Sequence, residues 1–190
     1  AAQGPPGEAG VSFLLRLIKI SLLALFTRRR ALLDSSVIRL RVWPNDLDLN
    51  LHMNNGRYLS LMDLGRVDVM FHSGAFRLWF TKGWQPLVAL SNIRHFKSLR
   101  LGQSFEIRTR ILGWDAKWIF FEQRFTRDGE LHALAVVKAL MAGNQRLIST
   151  EELFGAAGQA PRPSPALPDW VQTWLKSERE SIDLLKKEKG

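Results

Sequence analysis

Cysteine is absent from the 190-residue chain. That excludes disulfides, thiolate metal sites and a cysteine nucleophile, and it fits a reducing compartment. Histidine is scarce, at four residues, and no two share a helix face at the spacing of a zinc-binding pair, so no metal site is expected. No apolar run is long and uncharged enough to promise a spanning helix, which needs about 20 mainly apolar residues. No internal repeat is visible. What is present is the composition of a packed domain: 46% hydrophobic and 10% aromatic residues argue against disorder, and the length suits one domain. The net charge of +9 predicts attraction to polyanions, whether nucleic acid, anionic lipid or a phosphorylated small molecule. Nucleic acid is the weakest of the three, because Lys and Arg are dispersed and no stacking motif or recognition helix is present.

Three regions are expected. Residues 1–36 comprise a Pro/Gly-rich lead (1–10), read as unstructured or as an expression remnant, and a basic amphipathic helix. On that helix Ser12, Arg16 and Lys19 fall in one narrow arc, while Phe13, Leu14, Leu17, Ile18 and Leu25 lie away from it. With Arg28, Arg29 and Arg30 following, the segment suits the surface of an anionic membrane leaflet. A helix packed on the domain itself is the plainer alternative. A signal sequence is a third, disfavoured because the positive charges lie within and after the apolar run. Residues 37–143 are expected to form the main domain, and residues 144–190 a proline-rich linker (Pro161, Pro163, Pro165, Pro168) and a C-terminal helix that docks on it.

Within the main domain, Val37–Trp43 alternates like a strand and Pro44 stops it. The stretch DLDLNLHMNNGRYLSLMD, residues 46–63, follows. It places two carboxylates before a His, two Asn and a Gly, then becomes a helix that is apolar almost all round and therefore buried. Asn54 or Asn55 is a good helix cap. Asp63 falls at about 80° from Asn55 and about 40° from Leu59 around that helix, at the edge of the apolar stripe. A carboxylate there must be paired, hydrogen-bonded or useful. Residues 71–83 read as irregular or a short helix. Four strand-like runs follow at 84–96, 105–114, 117–126 and 131–141. Asp128-Gly129 gives a hairpin signal between the last two. One strand, one long buried helix and an antiparallel meander able to wrap it make an α+β domain.

These residues resemble the hotdog-fold acyl-CoA thioesterases of the 4-hydroxybenzoyl-CoA thioesterase superfamily. The family fingerprint D-x-D-x-x-G-H-x-N-N-x-x-Y-L is matched by Asp46, Asp48, His52, Asn54, Asn55, Tyr58 and Leu59. The resemblance covers roughly residues 37–186 and looks nearest to the thioesterase-superfamily-member-six-like branch, through SLRLGQSFEIRTRILGWD and the PALPDWVQTW tail as well. The motif is long and specific. One position departs: the family glycine before the His is Leu51.

The resemblance implies a helix wrapped by an antiparallel sheet, a homodimer or higher homo-oligomer with sites between subunits, and hydrolysis of an acyl-CoA thioester to acid and coenzyme A. No cofactor is implied beyond the coenzyme A of the substrate. It puts Asp48 and Asp63 at positions of the catalytic nucleophile or general base, each with a plainer reading: a turn aspartate for Asp48 and an ion pair with Arg66 for Asp63. The helix start at Asn54, Asn55 and Gly56 would offer N–H donors to the thioester oxygen. His52 is read as orienting the turn and Tyr58 as core packing. Arg94, Lys97 and Arg100 could hold coenzyme A phosphates or simply guard a sheet edge. The expected location is cytoplasmic, with a peripheral seat at the inner face of a membrane. Two rivals are a non-catalytic acyl- or lipid-binding hotdog protein at a membrane surface and a hotdog dehydratase or hydratase. The second is disfavoured because His52 sits in a thioesterase-type motif.

Overall fold

A computed structural model describes residues 8–26 and 29–188. The lead residues 1–7, Arg28 and the side chain of Leu25 lie outside the described residues. The chain runs α1 (Glu8–Leu25), β1 (Ser36–Arg41), a 3-10 turn (Pro44–Asp46), α2 (Asn55–Ser73), α3 (Phe76–Lys82), β2 (Gln85–His95), β3 (Ser104–Trp114), β4 (Ile119–Arg127), β5 (Glu130–Gly143), β6 (Arg146–Ile148), α4 (Thr150–Ala156) and α5 (Asp169–Lys187).

The main sheet is antiparallel in the order β1-β3-β4-β5-β2, with β6 added to β5. Successive residues of the central strands point to opposite faces. Ile111, Ile119, Phe121 and Val137 join the main core with Tyr58, Leu61, Met62 and Leu64 of α2. Leu112, Phe120 and Val136 face the other way and pack with Val171 and Leu175 of α5. The sheet thus holds α2 on one face and the expected docking helix on the other.

α2 begins where Asn54 accepts a hydrogen bond from the Gly56 N–H at 2.8 Å, leaving fewer orphan donors at the helix start. It ends at Gly74, whose φ of 83° is left-handed, as a C-terminal glycine cap requires. Between these ends Gly65 lets the helix lie close to the sheet. A Cβ there would come within 2.4 Å of Thr109 Oγ1 and 2.9 Å of Gln123 Nε2. The β4–β5 hairpin turns on Asp128 (φ 51°) and Gly129 (φ 80°), the paired positive angles of a type I′ turn.

Two sequence readings are corrected. Residues 8–10, assigned to the lead, belong to α1. The stretch after Gly143 is more than a linker: it contains β6 and α4, and the proline-rich strap lies against the sheet, where Ser164 Oγ accepts from the Trp114 N–H at 2.7 Å. In α1, Ser12 and Arg16 of the polar arc are buried against the domain with Ile20 and Ala24, whereas Lys19 is exposed. The outward face carries Leu14, Leu15, Ile18, Leu22 and Leu23, all exposed. A partner 30 residues away, Asp46, compensates the buried guanidinium charge.

Candidate active site

The motif loop is built around two aspartates with different tasks. Asp46 is fully buried. Its carboxylate accepts from Arg16 Nη1 (2.9 Å) and Nη2 (2.5 Å), from the Trp43 N–H (2.8 Å) and from Arg57 Nε (2.9 Å). Burial pushes its pKa up. The Arg16 hydrogen bond, the Trp43 N–H, the Arg16 charge and the Arg57 hydrogen bond outweigh that and hold it below 3.8, the ordinary value. Asp46 therefore ties α1, β1, the loop and the first turn of α2 together.

Asp48 is half-buried and works within its own turn. Its carboxylate accepts from the Asn50 N–H at 2.9 Å and more weakly from the His52 N–H at 3.4 Å. Its backbone N–H donates to the His52 carbonyl at 2.9 Å. Leu51, in the place of the family glycine, keeps a left-handed backbone, φ 59°. The turn thus retains the conformation glycine favours while presenting an exposed leucine, with Leu49 two residues before it more exposed still.

His52 pairs through its backbone with Arg100, and the Met53 N–H donates to the Leu99 carbonyl at 2.8 Å. These contacts bring Asp48, His52, Asn54, Asn55, Gly56 and Arg100 to one exposed corner. Tyr58 is buried one turn into α2, its ring 4.6 Å edge-on from His95 and 5.0 Å from Phe125. Burial raises its pKa, opposed by a hydrogen bond with the Leu99 backbone. Burial lowers that of His95. Through the Tyr58 contact the end of β2 meets the start of α2. Arg94 there lies over the Phe96 ring at 5.7 Å, and Lys97 is ion-paired with Glu130.

Asp63 is not at this corner. It lies eight residues on from Asn55, about 12 Å along the helix at ~1.5 Å per residue. Its half-exposed side chain is paired with Arg66, whose Nη1 donates to Gln123 Oε1 at 2.6 Å. Gln123 is itself fixed, donating to the Met62 carbonyl and Thr109 Oγ1, both at 2.9 Å. Burial pulls the Arg66 guanidinium below its ordinary range, and Asp63 opposes that pull. Among the described residues, Asp63 and Arg66 are the charged side chains lining a cavity of about 540 Å³ between α1, α2, α3, α4 and the sheet, whose walls are apolar apart from these two and from Ser21 and Ser73. Asp48, His52, Asn54, Asn55 and Gly56 do not line it. The cavity, the Arg66–Gln123 support and the Arg16–Asp46 bond were not read from the sequence. Each joins residues at least 30 positions apart, beyond what local periodicity reports.

An aspartate held at the mouth of an apolar cavity and a polar corner at a helix start are the parts of a site for a substrate with a long apolar body and a reactive polar head. A family model described as "Thioesterase-like superfamily" matches residues 42–175.

The chain belongs to that superfamily.

The chain is also similar to proteins of comparable length. Protein THEM6 of Xenopus laevis is 36% identical over 151 residues, covering 78% of this chain and 71% of that one. Protein THEM6 of Danio rerio is 30% identical over 187 residues, covering 97% and 91%. The hotdog architecture agrees with the crystal structure of YbaW, a probable thioesterase from Escherichia coli. That structure has a TM-score of 0.59 and 20% identity, covering 65% of this chain and 96% of that one. As a member of this superfamily the protein is a thioester hydrolase. The superfamily match starts at Val42, so α1 and β1 lie outside it, although the zebrafish likeness extends over nearly the whole chain.

Proposed function

We propose that the protein hydrolyses acyl-CoA thioesters to free acid and coenzyme A, with a carboxylate as base or nucleophile. The observation that carries this reading is the position of Asp63 at the rim of the apolar cavity. An acyl chain in the cavity brings its thioester to that rim, where the carboxylate attacks the carbonyl carbon or takes a proton from the attacking water. Arg66, braced by Gln123, fixes the direction of the carboxylate. At the helix start the Asn54 N–H donates to the Asp46 carbonyl and the Gly56 N–H to Asn54 Oδ1, so the Asn55 N–H is the donor that suits the developing oxyanion, and Arg94, Lys97 and Arg100 suit the coenzyme A phosphates.

Within one chain the helix start and Asp63 are too far apart to reach one carbonyl. We therefore propose that the working form is a homodimer or larger homo-oligomer, in which Asp48 and the helix start of one copy face Asp63 of another. Support comes from β2, an 11-residue edge strand exposing Leu87 and Val88. A long apolar edge is a template for pairing with a second sheet.

The experiment is direct. Purified protein is offered a panel of acyl-CoAs and the released thiol is followed with a thiol-reactive dye. Turnover is expected on at least one. Absence of turnover on every member would defeat the hydrolase assignment for this chain.

A peripheral membrane seat is supported separately by α1. Leucines and Ile18 cover its outward face, Lys19 on the same helix is exposed, and no helix among the described residues is long and apolar enough to cross a bilayer. Such a face suits burial at the headgroup–acyl boundary. It also fits the rival reading of an acyl- or lipid-binding protein without catalysis, which the turnover assay separates from hydrolysis. Sedimentation with anionic vesicles is expected to retain the intact chain and to release a Leu14→Glu/Ile18→Glu variant. Equal partitioning would remove the membrane seat.

A further inference from the structure

We infer that the cavity selects unbranched aliphatic acyl chains of intermediate length over aromatic ones, and that α1, through Leu17 and Ser21, is the wall that sets the length. The inference rests on the reading that acyl-CoA is the substrate, and it adds the acyl class and the residues that choose it.

The lining decides the class. Apart from Asp63 and Arg66, which are paired with each other, the walls are almost wholly hydrocarbon and aromatic. The two serines on the wall offer little to a polar acyl group, and Ser73 Oγ already donates to the Met70 carbonyl at 3.3 Å. A hydroxylated aromatic acyl group could pair only within reach of Ser21, Ser73, Asp63 or Arg66 and elsewhere on this wall would bury its hydroxyl without a partner, which is unfavourable. A saturated chain has nothing to satisfy and gains from every methylene buried.

The volume decides the length. A methylene takes about the room of a water's share of liquid, ~30 Å³. A cavity of about 540 Å³ therefore holds at most roughly 18 carbons at ~30 Å³ each, and chains of intermediate length fit it without overrunning it.

The role of α1 follows from how it is held. Phe13, Leu17 and Ser21 face the cavity, while Ser12 and Arg16 on the same helix are buried, with Arg16 bonded to Asp46. The helix is held by Arg16, by the buried Ile20 and Ala24 and by the packing of Phe13 and Leu17 on the core. Ser21 is the telling one: a small residue, half-buried, that leaves space a larger side chain would take.

The test uses the intact chain and two independent readouts. One is displacement of a fluorescent polyene fatty acid by straight-chain fatty acids of 6 to 20 carbons and by hydroxybenzoate. The other is the kcat/KM profile over acyl-CoAs of the same lengths. The wild type is expected to favour intermediate chains at least tenfold over the shortest and over hydroxybenzoate. Ser21→Phe should move the optimum shorter by about three carbons at ~30 Å³ each, and Leu17→Ala should raise the ratio of long to intermediate chains several-fold. Leu22→Ala, on the outward face, serves as the control. Thermal unfolding identifies a variant that has not folded, and the other variant then carries the test. Binding that follows the expected profile without hydrolysis would uphold the cavity's selectivity and overturn the hydrolase reading. Hydrolysis with an optimum unmoved in a folded cavity variant, or with aromatic chains preferred, would overturn the inference and leave the hydrolase reading standing.

Discussion

Arg16 and Asp46 form a buried, two-pronged ion pair, with Nη1–Oδ1 at 2.9 Å and Nη2–Oδ2 at 2.5 Å, and both side chains are almost wholly shielded from water. The guanidinium also donates to the Arg41 carbonyl at 2.8 Å and lies 4.5 Å from the centre of the Trp43 ring. A helix outside the matched superfamily stretch thus holds the first aspartate of the D-x-D motif.

Removing one member of a buried pair strands the other, typically at about 3–5 kcal/mol. Arg57 still bonds Asp46, so Arg16→Met is expected to cost near the lower end, about 3 kcal/mol. Urea unfolding of wild type, Arg16→Met, Asp46→Asn and the double variant gives the coupling. A double variant that loses as much as the two singles summed would mean that the pair contributes nothing as a pair.

The same carboxylate fixes an acid limit. The pKa of Asp46 is lowered in the folded state, so its contribution is fully present above the unfolded value, near 3.8. That contribution is lost as pH falls through the lowered folded value. Stability between pH 7 and pH 5 should therefore be insensitive to Asp46 and should fall below about pH 4. The acid limb should be shallower in Asp46→Asn, measured as the urea midpoint against pH. Limbs of equal steepness would exclude Asp46 as a source of acid lability.

Asp63→Asn and Asp48→Asn should differ in kind. Asp63→Asn is expected to lower kcat by about 10²- to 10⁴-fold with KM little changed, the loss that follows removal of a general base. Asp48→Asn also loosens the turn it caps, so its loss of kcat should come with a lowered melting temperature. If Asp63→Asn retains full kcat, Asp48 becomes the reactive carboxylate.

Leu51 offers a stability gain. An L-residue in the left-handed region costs about 1–2 kcal/mol, while glycine carries an entropic cost of about 0.5–1 kcal/mol. Leu51→Gly should thus stabilise by about 0.5 kcal/mol, and Leu51→Ala should not. A melting temperature lowered by the glycine would show that the exposed leucine makes a contact of its own, such as one with a second copy.

Local signals carried much of the fold. The Asn54 cap, the Asp128-Gly129 turn, the proline after β1 and the alternation of β3 each act within a few residues, and each is found at or within two residues of its expected place. The strand β6 and helix α4 escaped because three- and seven-residue elements show too little periodicity to separate from a loop. The burial of Arg16 escaped for another reason: it depends on Asp46, 30 residues away, which no local pattern reports. Of the candidate site, the corner at the helix start follows from the motif. The cavity at Asp63 depends on how five elements converge.

Asp46 takes its cations from both ends of the story, Arg16 ahead of the motif and Arg57 within it. Trimming the chain back to Val37 to obtain a more tractable protein would therefore leave an anion half-matched in the interior and one side of the cavity unroofed. Leader and body cannot be exchanged as separate modules: a graft of this leader onto another hotdog body would need an aspartate waiting for it.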